Sequence, residues 1–147
     1  HYTQMQEYMQ AYDAFDSALD LSPEHEYAYL NRGIALYYGG RPELALDDLD
    51  VYHQRQKDDP YPVLWMYLAE YSVNSDAANI ALKERSKNIY NKTWAKQVIR
   101  LYLGEINQGD FIARLTDGIK SNKALTDRLC EAYFYLGKYN MISWLLL

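Results

Sequence analysis

Ala28-Tyr29-Leu30-Asn31-Arg32-Gly33-Ile34-Ala35-Leu36-Tyr37-Tyr38-Gly39-Gly40-Arg41-Pro42-Glu43-Leu44-Ala45 reads as one helix, a tight turn and the start of a second helix. Gly33 lies inside the first helix, where lack of a side chain permits close packing of a neighbour. Gly40 suits the left-handed conformation that ends a helix. Pro42 then falls in the first turn of the next helix, where its missing N–H costs nothing.

Upstream, the chain reads Ala11-x3-Phe15-x2-Ala18-x4-Pro23, with small residues for close approach and an aromatic to fill the gap. A shift of 34 residues carries Ala11, Phe15 and Ala18 onto Ala45, Leu49 and Tyr52, which is the period of the tetratricopeptide repeat. Ala11, Ala18 and Ala45 are accordingly expected to be buried hairpin contacts. The expected fold is all-α, a tetratricopeptide-type helical-hairpin solenoid of about four to five degenerate repeats in a single domain. Its repeats are a partial one at 1–25, then 26–61, 62–91 and 92–123, and a partial one at 124–147.

Trp65-x2-Leu68-Ala69 opens the third repeat, with a second helix over about 76–90. Trp94-x2-Gln97-Val98 and Leu101-Tyr102-Leu103-Gly104 open the fourth, followed by a helix over about 109–120. The fifth begins near Ala124 and carries Tyr133-x2-Leu136-Gly137. Trp65 and Trp94 are 29 residues apart, so the strict period lapses after the second repeat. Recurrent i, i+3, i+4 spacing, as in Leu125, Leu129, Tyr133 and Leu136, favours helix throughout, about nine helices in all. Residues 53–62 exceed the repeat by about three residues and are expected to form a bend. The apolar close Met141-Ile142-Ser143-Trp144-Leu145-Leu146-Leu147 and the start at His1 read as the two uncapped ends of a fragment, which would self-associate to cover apolar surface.

The chain has 147 residues, is 49% hydrophobic and 24% charged, and has a net charge of −5. That composition belongs to a folded chain, and the excess of acids argues against nucleic acid as a partner. Cys130 is the single cysteine, so an intrachain disulfide and a cysteine-rich zinc site are excluded. No apolar run approaches the ~18 residues of a membrane span. The 16 tyrosines suit interhelical packing and contact surfaces alike.

Nothing in the sequence points to catalysis, to a cofactor or to a metal. His1, His25 and His53 stand apart and outside any metal-ligand spacing. Asp47, Asp48 and Asp50 read as a solvated helix face. Lys92 and Lys96, read as one helical turn apart, either hold an acidic group or form a solvated face. A binding surface has better support. In this repeat class the first helix of each hairpin lines the concave side, and the Gly33 register places Tyr27, Leu30, Asn31, Ile34, Tyr37 and Tyr38 there. The same register extends the groove to Met66, Tyr67, Glu70, Lys96, Tyr102, Tyr135 and Lys138. Tyr rings with an amide fix a peptide well.

Residues 11–139 also resemble the NlpI-type tetratricopeptide-repeat lipoproteins of Gram-negative bacteria. The resemblance rests on Ala28 to Arg41 as quoted above, on Leu64-Trp65-Met66-Tyr67-Leu68-Ala69-Glu70, and on Phe134-Tyr135-Leu136-Gly137-Lys138-Tyr139. It is one of pattern only over 72–93, and it departs at Asn140, where the family continues into further helices. The resemblance implies a homodimeric adaptor anchored by lipid to the outer membrane and facing the periplasm. It implies protein partners: peptidoglycan hydrolases, among them a murein endopeptidase presented to a periplasmic processing protease. The lipidated cysteine and carboxy-terminal helices are expected to be missing from this chain, leaving a soluble fragment. A rival reading is a cytosolic co-chaperone or assembly scaffold of the same fold. Leu30 and Ile34 weigh against it, since they occupy positions where a two-carboxylate clamp needs Lys or Arg. The other rival, an unrecognised enzyme, lacks any converging acid–base or metal set.

Overall fold

A computed structural model describes residues 2–22 and 26–145, with side chains over 6–22 and 27–143. His1, Pro23, Glu24, His25, Leu146 and Leu147 lie outside the described residues, as do the side chains of Trp144 and Leu145. The expectations placed on them, including the uncapped apolar end, lie outside the description too. The protein is all-α: eight α-helices and one short 3-10 turn are present among the described residues, and no strand. They are α1 (Tyr2–Leu21), α2 (Glu26–Tyr38), α3 (Pro42–Arg55), α4 (Pro60–Tyr71), α5 (Ser75–Arg85), α6 (Trp94–Tyr102), α7 (Gln108–Ala113) and α8 (Asn122–Leu145). They group into two compact units, His1–Tyr90 and Asn91–Leu147.

In the first unit each helix packs against the next in sequence, and α2 also touches α4. That arrangement is a stack of helical hairpins. At its centre, α2 and α3 approach so closely that a Cβ on Gly33 would fall 2.8 Å from Leu49 Cγ and 3.3 Å from the Ala45 carbonyl oxygen. Ala45 and Leu49 are completely buried there. The turn between them is closed by Gly40 at φ +77°, and Pro42 occupies the first turn of α3. Ala11 and Ala18, by contrast, are only half-buried, because α1 is an outer helix covered mainly by α2.

Arg32 and Asp48 join the same two helices. The guanidinium donates twice to the carboxylate, at 2.6 Å from Nε and 2.7 Å from Nη2, and once to Asp16 on α1 at 3.1 Å. It also lies over the rings of Tyr12 and Tyr29. Asp48 is thus 6% exposed and tied into the core, so it does not belong to a solvated acidic face. Asp47 does remain exposed.

The α3–α4 junction is shorter than expected, because α3 continues to Arg55 and α4 starts at Pro60. Asp59 caps α4 by accepting from the Tyr61 N–H at 3.0 Å, and Tyr52 Oη donates to its other oxygen at 3.1 Å. Residues Pro62 to Ala69 of α4 are all buried, as a helix apolar on every face must be. Across α4 and α5, Arg85 pairs with Glu70 at 2.5 Å.

The second unit holds α6, α7 and α8. Its core is Ala95, Val98, Ile99, Leu101 and Tyr102 from α6, Phe111 from α7, and Ala132 and Tyr135 from α8. One expectation fails here. The helix expected over 109–120 stops at Ala113 and gives way to turns that end at Gly118, φ +72°. Only Phe111 and Leu115 from this stretch reach the core, too few apolar anchors to hold a longer amphipathic helix. α8 runs through Gly137 without a break. Local propensity alone does not stop a helix of that length, for glycine there costs only about 1 kcal/mol.

The two glycines give opposite expectations. Gly33→Ala should destabilise the fold by about 1–3 kcal/mol through overpacking against Leu49. Gly137→Ala, where an added Cβ meets nothing within 4 Å, should stabilise by up to about 1 kcal/mol. Urea denaturation of the two variants reads both. A Gly33→Ala protein as stable as the parent would contradict the α2–α3 contact.

Candidate functional site

The residues expected to line a groove fall into three groups. In the first, Tyr27, Leu30, Asn31 and Ile34 lie one to two turns apart on α2. Tyr27 is 63% exposed, Asn31 is exposed, and Leu30 and Ile34 are half-buried. The Tyr27 ring leans toward Tyr52, at 6.0 Å between centroids. These four side chains make a continuous, accessible helix edge.

In the second group, Tyr37 and Tyr38 are drawn into an aromatic cluster. Tyr38 stacks on Tyr8 at 5.3 Å, and both tyrosines meet Trp65 edge-on at 5.7 Å. Burial pushes both phenols above their ordinary range. These rings chiefly join α1, α2 and α4.

The third group is interior. Met66 and Tyr67 are 1% and 5% exposed, and Tyr102 and Tyr135 are 5% and 4% exposed. They are therefore core residues and offer no surface to a partner. The Tyr102 hydroxyl donates to the Tyr135 carbonyl at 2.8 Å, so its polar end is satisfied within the unit. Glu70 is held by Arg85. Lys96 and Lys138 are half-buried, and burial lowers both ammonium groups below the ordinary lysine range. Lys138 lies over the Phe134 ring at 5.7 Å.

Lys92 lies in the turn before α6, whose N-cap is Thr93. It is not one helical turn below Lys96, and it faces a different set of neighbours. It lines a pocket of about 330 Å³ with Trp94, Gln97, Arg114, Asp117 and Arg128. The sequence reading did not single out Arg114 or Arg128. Tyr133, read in the sequence as part of a helical periodicity, and Met141, read as part of the apolar close, are exposed on α8, at 60% and 61%.

No group of three or more His, Cys, Asp or Glu side chains that could hold a metal occurs among the described residues. Nor is any described helix long and apolar enough to cross a membrane. The fold and these surfaces define an all-α helical-hairpin protein. No protein-family model matches the chain.

His53 is 5% exposed on α3, and its Nδ1 is buried with no hydrogen-bond partner. Burial first, and then Arg85 and Lys57, hold it below the usual imidazole range, against a weaker pull from Asp50 and Asp59. The folded chain therefore takes up the proton less readily than the unfolded one. The stability tied to a neutral His53 is fully present above pH ~6.5 and falls as the pH drops below that value. Between pH 7.5 and 5.5 the parent should lose more thermal stability than His53→Gln does. Equal losses in the two melting curves would remove His53 as the cause.

Proposed function

We propose that this chain is a non-catalytic protein-binding adaptor or scaffold, and that the exposed edge of α2 is its main contact surface. The observation that carries the reading is the placement of Tyr27, Leu30, Asn31 and Ile34 at i, i+3, i+4 and i+7. Such an edge anchors a peptide or helix through apolar and aromatic contacts. A ring such as Tyr27 gives contact area at low entropic cost, and the Asn31 amide both donates and accepts hydrogen bonds. The seam behind this edge, Gly33 against Leu49, supports it as a preorganised surface, which lowers the cost of ordering on association.

The resemblance to NlpI-type lipoproteins supplies the finer proposal. The protein is a homodimer on the periplasmic face of the outer membrane, held there by a lipid anchor. It brings peptidoglycan hydrolases, including a murein endopeptidase, to a processing protease. Tyr27→Ala combined with Asn31→Ala should weaken hydrolase capture by about 1–4 kcal/mol. Its melting temperature should stay close to the parent's, because both side chains are exposed. Undiminished capture by that folded variant would move the contact surface off α2.

A further inference from the structure

The second unit carries a cationic pocket of a different character from the α2 edge. Lys92 comes from the turn before α6, Trp94 and Gln97 from its first turns, Arg114 and Asp117 from the turns after α7, and Arg128 from α8. The pocket encloses about 330 Å³, enough for one acidic side chain or chain end with its neighbouring backbone. Thr93, the N-cap of the nine-residue α6, also lines it, so the positive end of that helix dipole adds to the field.

What sets these cations apart is how they are held. Arg128 lies with its guanidinium 4.9 Å from the centre of the Trp94 ring. One of its nitrogens donates to the carbonyls of Leu115 and Asp117. Arg114 donates to Gln97 Oε1 at 2.9 Å, an oxygen that also accepts from Arg100 at 3.3 Å. Every one of these acceptors is neutral. Among the described residues, Lys92, Arg114 and Arg128 make no ion pair with a carboxylate, whereas Arg32, Arg85 and Arg100 each do. Neutral acceptors orient a guanidinium without cancelling its charge, and a guanidinium fork matches a carboxylate in shape. Beside them, the indole N–H of Trp94 is buried with no partner.

We propose that this pocket is a carboxylate-binding subsite for an acidic side chain or a free carboxy terminus of a bound peptide. Asp117 in the wall selects between anions: it repels a dianionic phosphate more than a single carboxylate, and its charge leaves the lining two positive in net. An acidic chain as a whole also disfavours a polyanion such as nucleic acid. The proposal rests on the reading of the chain as a protein-binding module and adds the chemistry of one contact.

Titrating the full chain with triglutamate, and following tryptophan emission, tests it. Saturable binding is expected, with loss of the signal in Trp94→Phe and at least tenfold weaker binding in Arg114→Gln. Lys92→Gln is the second variant: Lys92 is exposed, so its removal should weaken binding while leaving the fold intact. Affinity should also fall as salt is raised. Carboxy-amidated triglutamine, which carries no carboxylate, binding as well as triglutamate, no saturable change with triglutamate, or inorganic phosphate binding more tightly would each overturn the assignment. Unblocked triglutamine binding as well as triglutamate would assign the pocket to a chain terminus rather than an acidic side chain. The titration needs no partner protein, so it fails separately from the adaptor reading. A chain that captures hydrolases but ignores triglutamate loses only the pocket, and the reverse result loses only the adaptor.

Discussion

Two neighbouring residues of α2 meet two neighbouring residues of α3: Arg32 grips Asp48, and Gly33 leaves room for Leu49. These contacts do complementary things. The absent side chain at Gly33 sets how closely the backbones approach, since any Cβ would enter Leu49. The bidentate ion pair sets the register, because a guanidinium fork fits a carboxylate in few orientations. By reaching Asp16 as well, Arg32 brings α1 to the same point. The hydrogen bonds that Arg32 donates to Asp48 push its pKa up, against the opposing effect of burial. Ala45, Leu49 and the buried run of α4 then pack around a hairpin whose geometry is already fixed.

That seam also explains which parts of the fold could be read from the sequence. Gly33, Gly40 and Pro42 each carry a backbone constraint that few other residues meet, so the hairpin over 26–55 was legible from local chemistry. The end of α7 and the continuity of α8 were not, because tertiary anchoring governed both. Beyond Phe111 and Leu115 nothing held a longer α7 in place, and Gly137 sits where the helix is otherwise well propagated. Asp48 misled for a related reason. In sequence it belongs to an acidic run, and only a partner sixteen residues away, Arg32, makes it a core residue.

The candidate surface shows the same limit. Tyr and Met at helical spacing suit a groove and a core equally, and periodicity cannot tell the two faces apart. The α2 positions Tyr27 and Asn31 are accessible, while Met66, Tyr67, Tyr102 and Tyr135 are enclosed. What separates them is the packing of α4, of α6 and of the Tyr135 face of α8 against neighbouring helices, a long-range property. The pocket around Trp94 was harder still. Its cations come from a turn, the end of a short helix and the second turn of a long one, with no common spacing to reveal them.

The two kinds of arginine in this protein define what each region can do. Arg32 faces Asp48 and Asp16, so its field is largely neutralised within the fold, and its effect is structural. Arg114 and Arg128 face an amide and carbonyl oxygens, so orientation is fixed while the charge stays available. At a distance, however, the net charge of −5 governs, and beyond the ~8 Å Debye length even that is screened. A small free anion thus gains no long-range attraction toward the pocket. A carboxylate carried on a polypeptide is delivered by that polypeptide's other contacts, and the local field then acts at short range. Among possible anions, this favours one attached to a larger binding partner.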